Sequence, residues 1–186
     1  VMPSHGVMVH GLLPEMNPIE VVSPAGVCCA GMHALKYAYL AIKTGDASLA
    51  VATGSERFSA LLVSDVFEDE AKKLKELEEN PYIGFEKEFL RWMLSDGAAA
   101  FLMTNKKNEN GLNLRVEWLE GFSFANEMEA CMYSASEKQK DGSLKGYMEY
   151  TPDEIMNRSI LSIKQDVKLL SEHIVPLGGV GLKAAL

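Results

Sequence analysis

The run "AGMHALKYAYLAIKT", residues 30–44, constrains the fold more than any other part of this chain. Ala30, Gly31, Ala34, Ala38 and Ala41 remove side-chain bulk all round, and Gly45 supplies a C-terminal stop. The segment therefore predicts a helix packed closely on several sides. Ahead of it, residues 19–23 ("IEVVS") have the β-branched content of a short strand, and Pro24-Ala25-Gly26 is turn chemistry. Behind it, residues 48–53 ("SLAVAT") form an apolar run of strand length ending at Gly54. Strand, helix and strand with short joints make a βαβ unit, which predicts an α/β fold with a parallel sheet covered by helices.

Residues 65–80 ("DVFEDEAKKLKELEEN") carry dense Glu and Lys at helical spacing and stop at Pro81, which predicts a solvated surface helix. Residues 94–103 ("LSDGAAAFLM") predict a Gly turn feeding another small-residue strand. Asn110-Gly111 reads as a hairpin turn, after which Leu112, Leu114, Val116 and Trp118 alternate as in a half-buried strand. The polar stretch 134–146 reads as an exposed loop. "TPDE" at 151–154 is a capping box with Pro at the first helical position, so a helix starts there. Met156, Ile160, Ile163, Val167, Leu170 and Ile174 then supply one apolar face, and Pro176 with Gly178-Gly179 predicts a hinge that interrupts the helix.

Charge excludes one class of function. Net charge is -8, from 18 Lys plus Arg against 26 Asp plus Glu, whereas a general nucleic-acid binder needs a basic footprint. No apolar run reaches the roughly 18 residues of a membrane span, and no signal peptide is visible. The expectation is a cytoplasmic protein away from membranes. Three cysteines give no disulfide framework, and the adjacent Cys28 and Cys29 are poorly placed to bridge each other. The chain starts at Val1, and its last residues ("VGLKAAL") read as the opening turns of a helix; both ends suggest a piece of a longer chain.

The cysteine pair raises the chemical question. A thiol becomes a nucleophile when it is held as thiolate, which the unpaired N–H groups and macrodipole of a helix N-terminus favour. The same amides can form half of an oxyanion hole, and Gly31 allows close approach of a bulky acyl substrate. Position alone leaves two readings open for Cys28 and Cys29: a nucleophile at the helix mouth, or small buried residues. Cys131 reads as inert. His33, one helical turn after Cys29, could influence its charge, but with no CxxC or HExxH no metal site is expected. His5 and His10 could line the approach to the site.

"AGVCCAGMHALKYAYLAIKTGDASLAVATGSE" together with "LSDGAAAFLM" resembles the thiolase superfamily and, within it, the β-ketoacyl–acyl-carrier-protein synthase III group. There a CAG tripeptide opens a buried helix, GSD or GSE ends the next strand, and a GDGAG-like turn opens another. Here these are Cys29-Ala30-Gly31, Gly54-Ser55-Glu56 and Ser95-Asp96-Gly97-Ala98-Ala99. The resemblance implies a thiolase-like layered fold of mixed sheets covered by helices, only part of it present. Residues 1–104 would belong to the N-terminal half, with a helical insertion at about 65–93, and 105–186 would begin an incomplete C-terminal half. It places the nucleophile on Cys29 and leaves Cys28 to packing.

The implied activity is that of an acyltransferase and condensing enzyme of fatty-acid or related biosynthesis. Cys29 would take an acyl group from an acyl thioester, and malonyl–acyl carrier protein would extend it by decarboxylative Claisen condensation. Acyl-coenzyme A and acyl-carrier-protein thioesters would be substrates, with no permanently bound cofactor. The family's His and Asn motifs are missing: His5, His10, His33 and His173 sit in neither a PHxAN-like nor a PHxxS-like setting. The chain alone is therefore expected not to condense. Acyl carrier protein would be a partner, docking on basic residues drawn from Lys36, Lys43, Arg57 and Arg91. A homodimer is expected, with residues 19–23 pairing with their twofold mate. A non-catalytic ketosynthase-like dimer partner is the alternative, and a cysteine hydrolase the third reading.

Overall fold

The computed structural model describes residues 2–61, 78, 90 and 92–186. These mix helices with small antiparallel sheets, in keeping with an α/β class. The chain divides into two compact units, one made of residues 1–56 and 96–119, the other of 57–95 and 120–186.

In the first unit, helix α1 spans His5–Gly11 and helix α2 spans Ala30–Thr44. Gly45 ends α2 in the left-handed conformation at φ 81°, where a Cβ would be strained. Strand β1 (Leu49–Glu56) pairs antiparallel with β2 (Gly97–Thr104), in a register that sets Gly54 opposite Ala99 and Glu56 opposite Gly97. Side chains alternate across the ladder. Ala50, Ala52 and Gly54 therefore share one face, and α2 packs there: a Cβ on Gly54 would lie 3.9 Å from the Gly31 Cα. On the other face, His5 of α1 shares a 3.3 Å hydrogen bond with Thr53. Each face of the two-stranded sheet thus meets a helix.

The sequence expectations fail in instructive places. Residues 19–23 form no strand. Flanked by Pro18 and Pro24, the segment is held by side chains instead of a ladder. The Tyr37 hydroxyl donates to Glu20 at 2.9 Å, and Ser23 Oγ accepts the Gly6 amide at 2.9 Å. With that strand gone and β1 paired to β2, the parallel βαβ unit is replaced by an antiparallel pair. Helix α2 is packed on one side only: Ala38 is its buried residue, and Met32, Tyr37 and Leu40 are exposed. Residues 112–118 alternate in sequence but pair with no strand among the described residues, and Leu112 and Leu114 are 87% and 86% exposed. There Asn113 closes the loop itself, accepting from the Asn108 amide at 2.8 Å and donating to the Asn108 carbonyl at 2.7 Å. The charged segment 65–80, apart from Glu78, lies outside the described residues, as do most of the expected insertion and Arg91.

The second unit contains strands β3 (Met132–Tyr133), β4 (Ser136–Lys138) and β5 (Leu144–Gly146), helix α3 (Pro152–Asn157), strand β6 (Lys164–Gln165) and helix α4 (Val167–Ala185). Residues 134–146, expected as a loop, hold the β4–β5 hairpin. Its Asp141-Gly142 turn places Gly142 at φ 82°, and Gln139 donates to the Ser143 carbonyl at 2.8 Å. The capping box at Thr151 forms as expected, with the Glu154 carboxylate accepting the Thr151 amide at 2.9 Å. The single long helix beyond it does not form. The chain turns after Asn157, with Ser159 at φ 47°, and Ile160 is fully buried. A new helix then starts at Asp166, whose side chain accepts the Leu169 amide at 3.0 Å. The steps of three and four ran across two helices. Helix α4 continues through Pro176 and both glycines, so the expected hinge is absent and residues 180–185 are its last turns. Glycine also serves packing there, since the Phe122 ring lies 3.2 Å from where a Cβ on Gly181 would be.

Candidate active site around Cys29

The approach to α2 is bent by two unusual residues. Gly26 sits at φ 148°, and Val27, a β-branched residue, at φ 50°. A single 3-10 turn, Val27–Cys29, follows, and the Cys29 amide donates to the Gly26 carbonyl at 2.9 Å. Cys29 is the N-cap residue of α2, and its side chain accepts no capping hydrogen bond. Its sulfur is thus uncommitted to the helix, whose first-turn amides stay without a side-chain cap. Both Cys28 and Cys29 are exposed. That removes the buried reading for the pair, and Cys28 does not pack as expected. A Cβ built on Gly31 meets nothing within 4 Å, so the helix mouth is open there.

The three short motifs converge. The Cβ direction of Gly54 points at the Gly31 Cα of the CAG tripeptide, and the β1–β2 register places Gly54-Ser55-Glu56 directly across from Gly97-Ala98-Ala99. On the other sheet face, an open cleft of about 380 Å³ is lined by His5 and Val9 of α1 and by small residues of both strands, among them Thr53, Ser55 and Ala98. His5 therefore lines a cleft beside the strand motifs. His10, in the last turn of α1, is not among the lining residues.

His33 is engaged elsewhere than on the thiol. Its Nδ1 lies 3.0 Å from the Ala25 carbonyl oxygen. A carbonyl can only accept, so Nδ1 carries the proton. His173 on α4 and the half-buried Cys131 beside β3 belong to the other unit. Of the basic candidates, Lys36 and Lys43 share α2 seven residues apart, on one side of the helix, and Arg57 falls in the other unit. Among the described residues no cluster of three or more His, Cys, Asp or Glu could hold a metal. None of their helices is long and apolar enough to cross a membrane.

No family model matches the chain, and no curated protein matches it.

Sequence reasoning singled out Cys29 and the two partner motifs but missed Thr53, Val9 and the contact between His33 and Ala25. The available signal was local. A histidine one turn inside a helix can reach back to a Pro-Ala-Gly turn at its mouth.

Proposed function

We propose that Cys29 is the acyl acceptor of a condensing enzyme of β-ketoacyl–acyl-carrier-protein synthase III type, built on a thiolase-like layered fold. The observation that carries this reading is the exposed Cys29 at the mouth of α2, free of any side-chain capping bond, with Gly31 beside the Gly54 end of the sheet. In the first step the Cys29 thiolate attacks the carbonyl carbon of an acyl-coenzyme A. A carbon–sulfur bond forms, and the carbonyl electrons move to oxygen. This reading assigns that oxyanion to first-turn amides of α2 beyond Ala30, whose own amide donates to the Val27 carbonyl. Its collapse breaks the bond to coenzyme A, which leaves as thiolate and takes up a proton.

In the second step malonyl–acyl carrier protein loses CO2, and its enolate carbon attacks the acyl-cysteine. The β-ketoacyl product leaves, and Cys29 is regenerated. That step needs donors for the enolate oxygen, which the family takes from a His and an Asn in motifs this sequence does not contain. The chain by itself is therefore expected to stop at acyl-Cys29. Lys36 and Lys43 are the candidates for contact with an acidic carrier protein. A homodimer is part of the proposal, supported by apolar side chains on the sheet, since Leu49, Val51 and Leu102 are exposed on one face.

Mixing the chain with acyl-coenzyme A tests the first step. The reading expects release of about one equivalent of free coenzyme A per chain and its loss in Cys29→Ala. Equal release by Cys29→Ala would assign the chemistry elsewhere.

A further inference from the structure

We infer that His33 is a positioning residue for Cys29: through Nδ1–H it clasps the Ala25 carbonyl and so holds the turn that presents the thiol. The inference rests on the assignment of Cys29 as nucleophile, and four observations on the Cys29 turn and α2 carry it. His33 is in the second turn of α2, and its ring reaches back eight residues to Ala25 at 3.0 Å. The next residue, Gly26, occupies φ 148°, and a Cβ there would come within 2.7 Å of His33 Nδ1 and 2.9 Å of Cε1. The ring therefore lies directly against the Gly26 backbone, in space that only glycine leaves free. The Gly26 carbonyl in turn accepts the Cys29 amide at 2.9 Å. Between them stands Val27, 85% exposed and at φ 50°, a conformation that β-branched residues rarely adopt. Few contacts of Val27's own hold it in that conformation, so the turn relies on restraints at its ends.

The clasp links the helix to its own entry segment. Fixing Ala25 and Gly26 from His33 fixes the carbonyl that orients the Cys29 amide, and with it the position of the thiol over the mouth of α2. The bond needs a proton on Nδ1, which both the neutral Nδ1–H tautomer and the charged ring supply. His33 acts here as a hydrogen-bond donor to backbone rather than as a base for the thiol.

Two measurements on the 186-residue chain test this without any thioester, so the clasp and the acyl-transfer reading can fail separately. The first is the ratio of Cys29 to Cys28 alkylation by iodoacetamide, read by peptide mapping. His33→Phe, which keeps an aromatic ring but loses the donor, should lower the ratio about fivefold, the size of one lost hydrogen bond. His33→Asn, whose amide can donate from nearly the same place, should stay within about twofold of the parent. An unchanged ratio in His33→Phe with helix content retained overturns the inference, as does a fall in His33→Asn equal to that in His33→Phe. The second needs no variant. Nitrogen-15 correlation spectra of the imidazole should show His33 protonated at Nδ1, and protonation at Nε2 alone would overturn the clasp.

Discussion

The two units of this chain are held together in different ways. The unit that carries Cys29 buries little: Ala38 and Ala52 are its buried apolar residues among those described, while Leu49, Val51, Phe101 and Leu102 on the strands stay more than half exposed. Its order comes from backbone contacts that glycine and alanine permit and from side-chain ties such as Tyr37 to Glu20. The other unit has a fully buried Ile160, a buried Tyr150 and Gln165, and a set of linked charges. Lys138 bridges Glu129 at 2.9 Å and Asp166 at 3.0 Å. Glu137 accepts from the Tyr150 hydroxyl at 2.8 Å and pairs with Arg158, and Lys145 lies 4.1 Å from the centre of the Tyr150 ring. Side chains hold one unit and backbone proximity holds the other. The candidate nucleophile sits on the second kind of scaffold, where the thiol is open to a large substrate and single backbone positions matter most.

Substitutions can break that contrast. The largest effect is expected from Ile160→Ala, which should cost about 3–4 kcal/mol of stability in urea unfolding, because a fully buried side chain leaves a cavity. Met32→Ala, on the exposed side of α2 in the first unit, should stay within about 0.5 kcal/mol. Equal losses would mean that the first unit has a side-chain core after all. Next comes Gly26→Ala, expected to cost about 1–3 kcal/mol because an alanine cannot adopt φ 148° without strain and its Cβ would meet the His33 ring. A neutral result there would remove backbone geometry as the organising feature of the first unit. Thr151→Ala should cost about 1 kcal/mol through the lost capping box, seen as a lower midpoint in thermal unfolding.

Acid sharpens the contrast further. Burial pushes Glu137 up, but hydrogen bonds from Tyr150 and Arg158 outweigh it and hold the carboxyl below its ordinary value. The Leu169 amide, then Lys138, hold Asp166 below its own ordinary value against the effect of burial. Groups with depressed folded-state values add stability that is present above their unfolded values and lost as pH falls through the folded ones. The second unit should therefore lose stability below the ordinary carboxylate range of about 4. In an acid titration followed by hydrogen exchange, amides near β4 and α4 should lose protection before that of the β1–β2 ladder changes. The reverse order would show that this charge network is not what stabilises the second unit.

Much of this was legible in the residues, and the failures share a cause. Helix α2, its Gly45 stop, both strands of the first sheet and the Thr151 capping box depend on signals within a few residues, and all appear. The missing strand at 19–23, the unpaired 112–118 and the two helices read as one depend on what lies across from each segment, which a periodic pattern does not state. Asp141-Gly142 was a hairpin signal hidden by polar neighbours. Around the site, Cys29 and its two companion motifs stood out only through a family resemblance, since position alone left the roles of Cys28 and Cys29 open. The clasp from His33 to Ala25 did not stand out, because it depends on where a ring points once the helix has formed.

The most direct test is intact-mass spectrometry with peptide mapping after incubating the chain with acyl-coenzyme A thioesters of several lengths, alongside Cys28→Ala and Cys29→Ala. The account predicts one acyl adduct, on Cys29, retained in Cys28→Ala and absent in Cys29→Ala. A folded chain that takes no adduct from any donor, or takes it on Cys28, would contradict it.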